Sequence, residues 1–408
     1  MTTVRRRSAA ALAVSAVLGV AISSAAVPAA VAAPTPSPSA ALPAGLYGTG
    51  DPTYDGVWRQ SLALLAQDTV GVKPADKAVE WLTGQQCDSG GFLSYRADTA
   101  APCAAKLPLD SNATAAAVQA LAALGGQDKA VEKSVDWLTS VQNADGGWGY
   151  NPGGASDANS TSIVIGALAA AGAKPAEVTS KDGKSPYDAL LTFATPCDSK
   201  ERGAFVFQPK QPGIVADSTA AAVVGAKGQG LVVKAGPKDS GGTDCEPAKT
   251  IEGAAHNGAA HLATALAKTG HLLTPPMPGS TDPAEKPDYG NTADAVVALT
   301  AQGMTEQAKK PLAWLEANAA DWAKESGPAA YAQLILAADA AGADPASFGE
   351  TDLVAGLNAT GPEPRAEKKS AEDSDSGTDS STWWFIGAFF AAAIGVGVLF
   401  GGRRKSQR

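Results

Sequence analysis

The sequence predicts an all-α protein: a closed α/α toroid of five to seven helix pairs, followed by a C-terminal transmembrane helix. Three observations predict it. A Trp-Leu segment with a glycine-rich turn returns at constant spacing, an Ala-rich apolar unit alternates with it, and no long run alternates Val, Ile or Thr with polar residues. Self-similarity of this kind marks a stack of one small unit that cannot bury its apolar face alone, and the missing alternation excludes a sheet of any size.

The chain starts with Arg5, Arg6 and Arg7, continues through an apolar run from Ala9 to Val27, and reaches Ala30-Val31-Ala32 before a Pro-rich stretch. That order is a secretory signal over residues 1–32, with cleavage after Ala32. Arg5-Arg6 lacks the bulky apolar pair that a twin-arginine signal carries after it. Residues 33–46 form a Pro/Ala-rich linker, and the ring is expected over residues 47–360.

Within the ring, Ala78-Val79-Glu80-Trp81-Leu82-Thr83 leads into Gln86, Gly90 and Phe92, and the same landmarks return at Trp137, Gln142, Gly146 and Trp148. Weaker echoes end at Gly203-Ala204-Phe205 and include Ala313-Trp314-Leu315. The second unit begins with small polar residues and runs into alanine: Asp110-Ser111-Asn112-Ala113-Thr114, Asp157-Ala158-Asn159-Ser160-Thr161, Asp217-Ser218-Thr219, Asn291-Thr292-Ala293-Asp294, and His256 through Leu266. Such polar residues cap helix N-termini, and Gly125, Gly172, Gly270, Gly303 and Gly342 stand where C-terminal caps belong. The Trp-Leu helix is amphipathic, whereas the Ala-rich helix has few charges on any side and is expected to be buried all round. Alanine lets backbones converge, so the Ala-rich set should form the inner wall, with helices starting near residues 53, 110, 157, 217, 254, 290 and 327.

Beyond the ring, residues 361–382 are rich in Ser, Asp, Glu and Pro and read as a disordered acidic stalk. Residues 383–402 contain no charge, open with Trp383-Trp384 and close into Arg403, Arg404 and Lys405. Twenty residues at about 1.5 Å each cross a hydrocarbon core, and the cationic tail, residues 403–408, belongs on the cytoplasmic side. The expectation is a single-pass protein of the cell membrane with an extracytoplasmic body.

Setting aside the seven cationic residues at the two ends lowers the formal charge from -9 to -16. A body this acidic is a poor partner for nucleic acid, which is bound by neutralising phosphates with Lys and Arg. Export makes disulfides the expected state of Cys87, Cys103, Cys197 and Cys245. Four cysteines allow three connectivities; Cys87 with Cys103 and Cys197 with Cys245 is favoured, because each pair brackets one Gly/Pro/Asp-rich loop.

Gln142-x3-Gly146-x-Trp148, with Gln86-x3-Gly90-x-Phe92 beside it, resembles the QW (squalene oxidase) repeat of the terpenoid cyclase and protein prenyltransferase α/α-toroid superfamily. The resemblance implies an α6/α6 barrel with a cavity at one end, in which Gln bonds backbone at a helix end and the aromatic plugs the adjoining turn. It does not bring the enzymes' chemistry. The Asp-x-Asp-Asp acid of class II terpene cyclases is missing, Cys245 directly follows Asp244 where a prenyltransferase zinc site needs Asp-x-Cys, and no cysteine has the Gly-Cys-Gly-Glu-Gln thioester context. His256 and His261 are five apart, about 140° around a helix, not the one-face spacing of a metal pair. No catalytic residue, cofactor or metal is therefore expected.

What remains is a polar rim. Asp110, Asp157, Asp217 and Asp294 would gather at one end of the ring, and a ligand there would meet Asp110, Asn112, Asp157, Asn159, Asp217 and His256. The function expected is an extracytoplasmic, membrane-anchored module that binds a small ligand or recognises a membrane or surface protein. The α/α ring is also similar to the helical domain of transcobalamin-type carriers, which makes a corrinoid one candidate ligand and an isoprenoid another; those carriers close over the ligand with a β domain, and here the chain passes from Ala359 into the stalk. The alternative is a prenyltransferase- or cyclase-like enzyme on isoprenoid or lipid-like substrates.

Overall fold

The computed structural model describes residues 42–104, 106–239, 241–274 and 285–366. The helices in chain order are α1 (Gly56–Thr69), α2 (Asp76–Gly84), α3 (Ser111–Leu124), α4 (Asp128–Ser140), α5 (Ala158–Ala170), α6 (Pro186–Leu191), α7 (Val215–Ala226), α8 (Ile251–Leu266), α9 (Tyr289–Gln302), α10 (Thr305–Asn318), α11 (Ala320–Ser326), α12 (Pro328–Ala341) and α13 (Leu353–Asn358). Sheet structure among the described residues is one antiparallel pair, β1 (Leu272–Thr274) with β2 (Lys286–Asp288).

Six helices form the inner wall. α1 packs on α3, α3 on α5, α5 on α7, α7 on α9, α9 on α12, and α12 returns to α1, so the ring closes. α2, α4, α6, α8, α10 and α13 pack outside these. The inner helices are alanine-rich and buried along most of their length, as Ala115, Ala116, Ala117, Val118 and Ala120 of α3 show. Their starts are fixed by side-chain caps: Asp110 accepts from the Asn112 and Ala113 amides, Asp157 from Ser160, and Asp288 from Asn291. Each such cap is worth about 1 kcal/mol.

The repeat turns join outer to inner layers. After α4, Trp148 is buried, donates its indole N–H to the Leu138 carbonyl at 2.7 Å, and gives its backbone N–H to the Thr161 hydroxyl of α5 at 3.1 Å. Phe92, Phe205 and Leu272 make the same backbone bond to Thr114, Thr219 and Thr292, and Tyr47 gives its backbone N–H to Gln60 of α1. Each of these turns is led by a glycine two residues before the bonded residue: Gly45, Gly90, Gly146, Gly203 and Gly270. Gly90 and Gly146 have φ of 96° and 92°, and a Cβ there would lie 2.1 and 2.2 Å from the Lys133 and Ser185 carbonyls. These two turns are pressed against the backbone of the next outer segment, which only glycine permits. Gln86 and Gln142 brace these turns by donating to the Gly90 and Gly146 carbonyls.

Two expectations change. The ring has six inner helices, because α8, which carries His256 and His261, lies in the outer layer against α7 and α9. Its alanines are explained by cover from those helices and from the loops that the Cys197–Cys245 disulfide holds beside Asn257. The packed chain also extends past the expected domain edges. Gly48 donates to the Thr360 carbonyl, the Arg365 amide donates to Lys73, and the Arg365 guanidinium pairs with Asp76 at 3.0 Å, so the chain's two flanks zip together where the ring closes.

No helix among the described residues is long and apolar enough to cross a membrane. The expected signal (residues 1–32), most of the expected stalk, and the expected span (residues 383–402) lie outside the described residues.

Candidate functional site

The barrel encloses a cavity of about 450 Å³ at the end where the inner helices begin. Its upper wall carries Trp58 of α1, Asn112 of α3, Asn159 of α5, Asp217 of α7, Asp294 of α9 and Gln333 of α12, with Trp322 of α11 beside them. Leu62, Ala220, Val224, Val297 and Leu336 line it further down. The segment after α7 turns into the barrel from the opposite end, and Gln229, Gly230 and Leu231 close the floor. Gly230 lies so close to Gly166 of α5 that a Cβ on Gly166 would be 2.5 Å from the Gly230 Cα. Buried Gln119 fixes this plug, accepting from the Leu231 amide at 2.7 Å.

The helix repeat sorts the polar residues expected at the mouth into two sets. Four residues before the repeat threonine stand Asp110, Asp157 and Asp288, whose carboxylates accept from their own helix's amides. Two residues before it stand Asn112, Asn159 and Asp217, which line the cavity. Asp110 and Asp157 are buried caps and do not line it, because the capping position turns the side chain back over its own helix end. Asp294 sits a turn further along α9 and lines the cavity.

Asp217 accepts from the Asn159 amide at 2.6 Å, and Asn159 in turn accepts from the Ser218 hydroxyl at 2.9 Å. Burial raises the Asp217 carboxyl above the ordinary range, against the pull of Asn159, and the charge of Asp288 adds to the rise. Asp294 accepts from Gln333 at 2.7 Å. Burial pushes its carboxyl up to about 7; the Gln333 bond opposes this, and the charges of Asp217 and Asp288 reinforce it. By accessible area both are half-buried, because they face the cavity. Among the described residues no Lys, Arg or His pairs with either, and Asp217 Oδ1 and Asp294 Oδ2 have no hydrogen-bond donor. The Asn112 carbonyl oxygen is buried without a partner.

His256 is a correction to the expected rim. On outer helix α8 its Nδ1 lies 2.8 Å from Asp239, which also accepts from Gln302 at 2.7 Å. Burial works against the Asp239 anion, yet the bonds from Gln302, Gly241 and His256 with the imidazole charge bring it down to about 2. The cluster latches the loop after the floor segment and is no part of the cavity. Cys87–Cys103 and Cys197–Cys245 both form, each with a Cα–Cα distance of 5.6 Å. No group of three metal-ligating side chains is close enough to hold an ion among the described residues.

Trp58, Trp322, Gln333 and Asp288 were not singled out from sequence. Asp288 had a signal, since it precedes Thr292 by the same four residues as Asp110 precedes Thr114. The other three come from helices whose repeat landmarks are degenerate.

Residues 59–205 match the family model described as the prenyltransferase alpha-alpha toroid domain. No curated protein matches the chain. Among solved structures, one titled as the crystal structure of a protein from Actinoplanes is similar at 16% identity and a TM-score of 0.44, covering 73% of this chain and 80% of that one.

Proposed function

We infer from the match of residues 59–205 to the prenyltransferase alpha-alpha toroid domain that the ring is of that superfamily, and from that premise we propose that the body is a binding module that takes a small ligand into the barrel cavity. One observation carries the proposal: an apolar pocket closed below by the Gln229–Leu231 plug, with Asn112, Asn159, Asp217, Asp294 and Gln333 converging near its mouth. A mostly apolar concavity with a few placed polar groups is the usual form of a ligand site. At about 450 Å³ the cavity suits a compact ligand, or one arm of a larger one such as an isoprenoid tail, better than an enclosed corrinoid. We propose the module to be exported and membrane-held, supported by the two disulfides, the signal-like start and the charge-free run from Trp383 to Gly402. A membrane or surface protein that delivers or receives the ligand fits the same arrangement.

The test is native mass spectrometry of the full-length protein released from detergent micelles, with parent and Leu336→Trp compared. A copurifying small molecule present in the parent and lost from the folded variant is expected. An empty barrel that also takes up nothing from a small-molecule library overturns the reading.

A second reading, an enzyme on isoprenoid or lipid-like substrates, is favoured by one feature: Asp294 holds a carboxyl near neutrality inside an apolar barrel, and a carboxyl that keeps its proton can donate it. Conversion of an isoprenoid by the parent and not by Asp294→Asn would establish it.

A further inference from the structure

We propose that the cavity selects an organic cation, a primary ammonium group seated between Asp217 and Asp294 with an apolar body below it. This rests on the small-ligand reading above and names the ligand's chemistry.

The amide donors of Asn159 and Gln333 are already used on the two carboxylates. Between these two side chains, on adjacent helices, the groups left facing the cavity without a donor are acceptors: one oxygen of Asp217 and one of Asp294. A ligand that satisfies both must bring donors, and an ammonium group brings three and no acceptor.

Charge points the same way. Asp217 and Asp294 come from adjacent helices α7 and α9, and each lacks a basic partner among the described residues. Asp288 at the start of α9 adds a third negative charge that both feel. A carboxyl set in an apolar wall is relieved by keeping its proton or by a cation, and a cation that relieves these two has to be supplied by the ligand, since no described basic side chain reaches them. A divalent metal is the wrong cation, because these carboxylates are too dispersed to form a three-ligand set. A neutral polyol would leave the acidic group uncompensated.

Two tryptophans complete the fit. Trp58 and Trp322 line the cavity, and Trp322 is backed by Tyr289 at 5.6 Å between ring centroids. Indole faces attract cations, the more so when water is excluded. The small apolar side chains Ala220, Val224 and Val297 leave room for a hydrocarbon body.

The test compares n-hexylamine with n-hexanol, matched in shape and different in charge, by calorimetry on the full-length protein in lipid nanodiscs with empty discs as blank, near neutral pH. We expect the amine to bind more tightly by about tenfold or more, with the preference lost in Asp217→Asn/Asp294→Asn. A wild-type arm needs no variant: measured in two buffers of different ionisation enthalpy just below neutrality, amine binding should release protons, since it ionises Asp294 in a setting whose other titratable groups are Asp217 and Asp288. Equal binding of amine and alcohol overturns the cation and leaves the small-ligand reading standing. Binding of neither overturns both, and an amine preference that survives in the folded double variant, or that releases no protons, overturns the assignment to these carboxylates.

Discussion

Asn159 of α5 donates a 2.6 Å hydrogen bond to Asp217 of α7 and accepts one from the neighbouring Ser218 at 2.9 Å, so a single amide ties two adjacent inner helices at the cavity mouth. Among the described residues it is also the one side chain that donates to Asp217. In Asn159→Ala the Asp217 carboxyl should rise further and the α5–α7 contact should loosen, at a cost of roughly 1 to 3 kcal/mol, as for other buried groups left unpaired. The loss should be larger in mildly alkaline than in mildly acid solution, because only the ionised carboxyl misses the donor. Thermal melts at the two pH values check this.

Asp294 makes a stronger pH prediction. Its carboxyl is pushed from 3.8 to about 7 in the folded protein. Between those values the unfolded chain has released the proton and the folded chain has kept it. The unfolded state thus binds fewer protons, and the unliganded protein loses stability as pH rises from about 4 to about 7, on the order of a few kcal/mol from this group. Asp294→Asn removes the penalty. The variant should melt like the parent near pH 4 and above it near pH 8, each value taken as about that figure; parallel pH profiles for the two proteins would show that Asp294 is ionised at ordinary cost.

Much of this was legible before the structure. Constant spacing from Trp81 to Trp137 and from Phe92 to Trp148 identified the repeat, and the polar starts of the Ala-rich units came within a few residues of the inner helices. Periodicity failed at α8, because alanine content reports close packing and not which layer does the packing. It failed again among the aspartates. Asp157 and Asp217 both stand near a helix start, yet one is a cap and the other faces the cavity; only alignment on Thr161 and Thr219 separates them. The floor was beyond reach, since nothing in Gln229-Gly230-Leu231 marks a segment that enters a barrel.

Trp148→Ala should destabilise the ring by about 3 to 5 kcal/mol, as for a buried aromatic cut to alanine. Trp148 is 1% exposed, and the change removes both its packing and the indole bond to Leu138. A denaturant midpoint close to the parent's would contradict the place of this residue in the turn.

The disulfides should contribute unequally. Cys87–Cys103 spans 16 residues and Cys197–Cys245 spans 48, and in the chain-entropy model the longer loop gives the larger effect, both near 3 to 4 kcal/mol by rough estimate. Paired serine variants should therefore melt lower than the parent, with Cys197→Ser/Cys245→Ser the lower of the two. That variant should also release the loop that Asn257 holds through Glu246, read as faster amide exchange across residues 241–246.

Gln119 Oε1 accepts from the Leu231 amide, while its Nε2 donates to the Ile163 carbonyl at 3.2 Å, so one buried side chain of α3 holds the plug and braces α5. In Gln119→Leu the shape is nearly kept but the Leu231 N–H loses its acceptor inside the barrel, a cost of roughly 1 to 3 kcal/mol. The segment can recover that energy by withdrawing toward water, which opens the cavity at its far end. Hydrogen exchange should therefore accelerate at Leu231 and its neighbours with little change in α9 or α12, and any ligand held in the cavity should leave faster. Protection at Leu231 equal to the parent's would mean that the close Gly166–Gly230 approach, not Gln119, secures the plug.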